Sequence, residues 1–339
     1  MNYLEWKRKL YQKAIQSTTP ILGEFELTAR CNLNCKMCYV LDANHRDLST
    51  SEWLTIFQQA TDAGLLFALL TGGELFLRSD FITLYNSLHD MGVRIALFTN
   101  GTHVPQNILD ALSIRYPEYI AITLYGASES TYLAVTGKTT KWSELQQNIK
   151  RIQQHKINLV LRTIPLRPIY NDLDDIIAFA SSQDIPLTYT EYIAPVRNLQ
   201  DNLESWRLTP SELHDFAHRI ASRVTPSSNH ESQNTTTKDA TCAALRSAYF
   251  INHRGDMQPC AMAYTPTQSV LESSVSTVFQ ELAKTYPSVS NCDECSVCEL
   301  ASDCLQCYAR RLHEPGETTN YCPSYLRSLA SFKSKEGTL

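Results

Sequence analysis

The stretch "LLFALLTGGELFL" (65–77) decides how the chain is read. Its first eight residues are a continuous apolar run, which suits a strand buried on both faces. In front of it lies "SEWLTIFQQATDAG" (51–64), a Ser followed by apolar side chains at helical spacing. The same unit then repeats. "FITLYNSLHDMG" precedes "VRIALFTNG" (93–101), and "PQNILDALS" precedes "YIAITLYG" (119–126). "WSELQQNIKRIQQHK" precedes "INLVLRTIPL" (157–166), and "LDDIIAFASSQD" precedes "IPLTYTEYI" (185–193). With "ILGEFELTA" after Pro20, this makes six strands and five helical crossovers. Such a pattern predicts an α/β fold, a partial (β/α)6 barrel of parallel strands over 21–204, with ligands at the C-terminal strand ends.

Residues 1–20 are expected to hold an amphipathic helix, with Leu4, Leu10, Tyr11 and Ile15 able to share a face. Residues 205–241 read as a bridging helix and a mobile loop, the loop being the nearly apolar-free "TPSSNHESQNTTTKDAT" (225–241). From 242 to 325 the composition turns cysteine-rich with little periodic apolar sequence, so this segment needs metal to fold; 326–339 is read as a tail. The net charge of −5 leaves no basic footprint and disfavours a nucleic-acid partner. No apolar run approaches the ~18 residues that span a bilayer, so no membrane association is expected.

Eleven cysteines, an odd number behind no export signal, argue against a disulfide scaffold. Three lie at 31–38, none from 39 to 241, and eight from 242 to 322, a segregation that marks ligands. Cys31, Cys35 and Cys38 are spaced C-x3-C-x2-C after the first strand. Zinc usually takes four ligands built from C-x2-C pairs. Three thiolates on a 4Fe–4S cube instead leave one iron open to another molecule.

This loop resembles that of the radical SAM superfamily, whose hallmark is C-x3-C-x-Φ-C. Met37 stands where that family has an aromatic residue, with Tyr39 just beyond. "TGGELFL" (71–77) is similar to the family's GGE motif, in which Gly72 and Gly73 admit a close backbone approach and Glu74 holds the methionyl ammonium of S-adenosylmethionine (SAM). By the same resemblance Asn100 lies on the ribose side, and Thr123 is a SAM-contacting hydroxyl. Arg162, on an apolar strand, pairs either with the SAM carboxylate or in a structural salt bridge. The resemblance implies one-electron reductive cleavage of SAM to a 5′-deoxyadenosyl radical that abstracts a hydrogen atom.

Cys242, Cys260, Cys295, Cys298, Cys304, Cys307 and Cys322 resemble the SPASM extension, which carries two auxiliary iron–sulfur clusters. Three 4Fe–4S clusters are then expected in all. The family topology implies Cys242, Cys260 and Cys307 for the first auxiliary cluster and Cys295, Cys298, Cys304 and Cys322 for the second. The fourth ligand of the first is Cys292 or a substrate atom, with Cys292 preferred. A zinc ribbon over 292–307 is the competing reading. "GDMQPC" (255–260) reads as a hairpin turning at Gly255.

SPASM proteins modify peptides or oxidise small molecules. Sulfatase-maturing members carry an Asp base after the second SPASM cysteine, and here that residue is Ala261. Epimerases need a free thiol, which a full set of eleven ligands leaves wanting. Oxidative crosslinking of a ribosomally made peptide, through a thioether or C–C bond, is the favoured reading. A small-molecule oxidoreductase is the alternative, and a non-enzymatic iron–sulfur regulator a third. Only about 20 residues precede strand one, so leader recognition is expected from a separate protein, from the barrel surface, or not at all, beside a flavodoxin or ferredoxin electron donor in reducing cytoplasm. Glu191 and Tyr189, at the end of strand six, are the candidate catalytic acid/base pair, with Asp42 and His45 behind them.

Overall fold

The computed structural model describes residues 2–40, 46–194, 203–223, 242–290, 292–304, 306–314 and 322–336. Asp42, His45 and the segment 225–241 lie outside the described residues. The six expected strands are β1 (Leu22–Glu26), β2 (Phe67–Thr71), β3 (Arg94–Thr99), β4 (Tyr119–Leu124), β5 (Leu159–Thr163) and β6 (Leu187–Tyr189). They pair parallel in sequence order, as the repeated unit requires.

The helices of the first two-thirds of the chain are α1 (Tyr3–Ser17), α2 (Thr50–Asp62), α3 (Phe81–Asp90), α4 (Gln106–Ile114), α5 (Glu129–Thr136), α6 (Lys141–Gln154), α7 (Arg167–Asn171), α8 (Leu173–Ser182) and α9 (Pro210–Arg223). The apolar faces of α2 to α9 bury the outer side of the sheet in one continuous core. α2 starts at a capping box in which Ser49 and Glu52 satisfy each other's backbone N–H. β1 shows how the strands divide their faces. Phe25 turns outward onto Trp53 and Phe57, at 6.2 and 5.2 Å between ring centroids. By alternation Glu24 and Glu26 turn into the barrel. α1 covers the N-terminal ends of the strands, with Tyr11 stacked 5.4 Å from Phe67 and Lys7 paired to Glu118 at 2.8 Å.

The sheet does not stop at β1. β7 (Ala248–Ile251), from the cysteine-rich part of the chain, adds parallel to its free edge. β8 (Asp256–Gln258) and β9 (Gln268–Ser269) follow antiparallel, giving the order β6-β5-β4-β3-β2-β1-β7-β8-β9. Gly255 turns the β7–β8 hairpin at φ 88°, a left-handed angle that favours glycine. α10 (Val275–Ser290) packs beside this extension through Val275, Val278 and Phe279. The remaining elements are short: α11 (Asp293–Ser296), α12 (Tyr308–His313) and the longer closing helix α13 (Ser324–Glu336), which reaches α9 through Phe332 and His214, 5.3 Å apart. Among the described residues no helix is long and apolar enough to cross a membrane.

Candidate active site

The loop after β1 is held from both sides before any ligand is considered. Asp47 accepts from the Thr28 hydroxyl at 2.6 Å, the Ala29 N–H at 3.1 Å and the Arg30 side chain at 3.1 Å. Buried Arg78 donates to the Leu27 and Leu48 carbonyls at 2.7 and 3.1 Å. Farther along, Asn34 and Lys36 donate their backbone N–H to Thr136 and Val135 at the end of α5. The loop thus bridges the mouths of β1 and β4, and its three thiols share one space. Burial pushes Cys35 up, with the Cys38 and Cys31 charges adding to it, and burial raises Cys38 to about 11. Thiols in that state release protons when metal replaces them.

The GGE segment lies against this loop. Gly73 N–H donates to Thr28 O and Glu74 N–H to Arg30 O, both at 2.8 Å. A Cβ on Gly73 would stand 2.4 Å from Arg30 O, and one on Gly72 2.5 Å from Thr28 O. What the two glycines approach here is the backbone leading into the cysteines. Glu74 is fully buried and accepts from Thr99 Oγ1 at 2.8 Å, Asn100 N–H at 2.9 Å and Phe76 N–H at 3.1 Å. Burial raises its carboxyl to about 7 against those three donors. It therefore ties β2 to the mouth of β3. Asn100 reaches the loop directly, donating to Asn32 Oδ1 at 2.8 Å and toward Cys31 Sγ at 3.7 Å.

The other candidates divide by strand face. Thr123 and Arg162 are register partners on β4 and β5, both half-buried and in line with Asn100. Arg162 stacks over Phe98 at 4.4 Å and makes no ion pair among the described residues. Tyr39 folds back toward Thr71, and burial drives its phenol well up. Met37 packs on the main core. Glu191 and Tyr189 do not converge on this mouth. Glu191 sits 3.2 Å from Lys333 and 3.8 Å from Arg310, on the two C-terminal helices. Tyr189 lays its ring edge-on to Phe216 of α9, 5.8 Å away. Alternation on β6 puts Thr188, not Tyr189, on the inner face.

The C-terminal cysteines form two groups. The charge of Cys307 acts on both Cys242 and Cys260, and all three act on the Tyr286 phenol. Cys295, Cys298, Cys304 and Cys322 line a single cavity with Arg327. Arg311 donates to Cys295 Sγ at 3.9 Å. Cys292 is buried and lies beside Cys295, whose thiol burial and Cys292 together push up to about 12. The extra cysteine thus stands beside Cys295 of the second group. Among the described residues no three Cys, His, Asp or Glu side chains converge on one ion. Groups of three and four thiols flanked by arginine cations fit an anionic cluster, whose thiolates sit farther apart than the ligands of a single ion.

An open parallel barrel with a three-cysteine loop at its mouth and a second cysteine-rich region defines a class of iron–sulfur protein. Residues 25–180 match the family model described as the Radical SAM superfamily, so this part of the chain is similar to that superfamily, and a cysteine-rich region follows the barrel. It is 22% identical over 275 residues to the sporulation killing factor maturation protein SkfB of Bacillus subtilis (strain 168), covering 78% of this chain and 66% of that one. It is 25% identical over 179 residues to the PqqA peptide cyclase of Xanthomonas euvesicatoria pv. vesicatoria (strain 85-10), covering 51% and 48%. The chain thus spans half to two-thirds of the length of these curated relatives. In fold it is similar to Streptococcus suis SuiB bound to S-adenosylmethionine, with TM-score 0.72 and 15% identity over 95% of this chain and 81% of that one. It is similar likewise to anSMEcpe with bound AdoMet, with TM-score 0.69 and 13% identity over 94% and 98%.

Proposed function

We propose that the chain is a radical SAM oxidoreductase that crosslinks a ribosomally made peptide oxidatively, forming a thioether or C–C bond. The observation carrying this is the pre-tied Cys31–Cys38 loop over a barrel whose sheet runs on into a second set of grouped thiols. Cys31, Cys35 and Cys38 would hold the cluster that binds SAM, and the C-terminal groups two auxiliary 4Fe–4S clusters. Bound there, cluster and SAM supply a one-electron cleavage that yields a radical able to abstract hydrogen from carbon. The Gly72–Gly73 backbone, Asn100, Thr123, Arg162, Met37 and Tyr39 would orient SAM. Glu74, which fixes the strand mouth, would hold the methionyl ammonium of SAM. The names of the relatives above, a maturation protein and a peptide cyclase, support a peptide substrate. A flavodoxin or ferredoxin as electron donor and a separate leader-recognition protein in the cytoplasm complete the reading.

The test is anaerobic. Reconstituted, reduced protein should convert SAM to 5′-deoxyadenosine, and a short peptide encoded beside it should lose two hydrogen atoms per turnover. The Cys31/Cys35/Cys38 triple-Ala protein should do neither. Cleavage of SAM without any peptide conversion would move the reading to a small-molecule substrate. No cleavage at all would refute it.

A further inference from the structure

An oxidative crosslink releases a proton as well as an electron, and the residues first suited to take it are engaged elsewhere. Glu191 is held by Lys333 and Arg310, and the position after Cys260 is Ala261. Three other acids lie in or at the barrel. Glu74 accepts from Thr99, Asn100 and Phe76. Glu26 is buried against His253, 2.6 Å from its Nδ1. Glu24, half-buried on the inner face of β1, alone of the three accepts no hydrogen bond among the described residues. A carboxyl that faces the barrel interior without a donor keeps its oxygen lone pairs free for a bound molecule.

The position of β1 suggests which one. It is the seam of the sheet: β2 on one side carries the GGE segment, and β7 on the other leads through β8 to Cys260. Glu24 is the register partner of Leu69 on β2 and of Phe250 on β7. The groups whose charge it feels or influences are Arg162 on β5, Tyr119 on β4, Tyr39 after the cysteine loop, Tyr11 on α1 and Cys260. On the strand between β2 and β7, it thus acts electrostatically on Tyr39, next to the three-cysteine loop, and on Cys260 of the first C-terminal thiol group. A substrate that passes hydrogen to one side and an electron to the other must sit there.

We propose that Glu24 is the proton acceptor of the oxidative step. The inference rests on the crosslinking reading above. After hydrogen abstraction, the substrate carbon radical bonds to a second substrate atom X that carries a hydrogen. The C–X bond forms, the X–H bond breaks, the proton passes to the Glu24 carboxylate, and the remaining electron would leave to the iron–sulfur cluster that Cys242, Cys260 and Cys307 would hold. Burial sets the carboxyl at about 7, with Arg162 opposing, so the group can both take and return a proton near neutrality.

The test compares reconstituted wild type, Glu24→Gln and Glu24→Asp with SAM and the peptide used above. Glu24→Gln should keep its iron, its SAM cleavage and the transfer of a substrate deuterium into 5′-deoxyadenosine. Crosslinked product should fall by about 10²–10⁴-fold, with partial recovery in Glu24→Asp. Undiminished product in Glu24→Gln would overturn the proposal. A wild type that converts no peptide would instead count against the crosslinking reading. In that event the infrared carboxylic C=O band that disappears in Glu24→Gln still decides about Glu24. A band titrating near neutrality supports it as an acceptor, and its absence across pH 5–8 overturns it.

Discussion

The two cysteine regions are built in opposite ways. The loop at 31–38 is tied down by Asp47, Arg78 and the GGE backbone and stands on a barrel with a large apolar core. The region from 292 to 336 has short helices and few buried apolar side chains, chiefly Tyr308, Ala309, Leu326 and Ala330. Among its described residues, hydrogen bonds reach the cysteines from both sides, Arg311 donating to Cys295 Sγ and the Cys322 N–H to Glu294. The first site would exist without its cluster; the second depends on its cluster for shape. One chain thus combines a preorganised loop with a region whose own apolar core is small, as expected of a region folded by metal.

The largest effect expected is on that second region. Chelating iron from reconstituted protein should abolish amide protection in 292–336, a loss on the order of 10 kcal/mol in local stability, while β1–β5 stay protected in hydrogen exchange. Loss of protection in both together would erase the distinction. The joint between the regions comes next. Arg207 and Glu314 are both about 7–8% exposed, and their ion pair at 3.0 Å is shared with Tyr192, whose hydroxyl donates to Glu314 at 2.5 Å. Arg207→Met should cost about 3–5 kcal/mol by leaving Glu314 buried and unpaired, read as a lower unfolding midpoint of the C-terminal region.

The third effect is pH-dependent. Glu24 is raised by burial, to about 7, so the folded state keeps a proton that the unfolded chain gives up near its ordinary value. Its contribution to stability is therefore lost as pH rises from about 4.5 toward 7. Glu24→Gln should be more stable than wild type at pH 8 by about 1–3 kcal/mol and equal to it at pH 4. A difference that does not change with pH would contradict the burial of that carboxyl. Smallest is the helix cap. Ser49→Ala should cost the barrel about 1 kcal/mol and leave C-terminal protection unchanged.

How much of this was legible follows from what each element depends on. The repeated helix–strand unit is local, so six parallel strands could be read from apolar runs such as 65–72. β7 could not, because "AYFI" is four residues in a cysteine-rich stretch and becomes a strand only on the free edge of β1. The loop thiols and GGE stood out by spacing. Glu24 and Glu26 did not, though acids at alternate positions of an otherwise apolar strand were a signal that its inner face is polar. Glu191 was placed at the right strand end, but its partner Lys333 lies 142 residues farther along the chain. Cys292 sits in a run dense in cysteines, where spacing alone does not separate one cluster from the next.

Iron and labile sulfide content after anaerobic reconstitution tests the central claim most directly, comparing wild type with the Cys31/Cys35/Cys38 triple-Ala protein. Three clusters predict about twelve irons per chain, falling by about four in the triple mutant, with C-terminal protection intact. About four irons in the wild type, with zinc in the C-terminal region, would contradict the account.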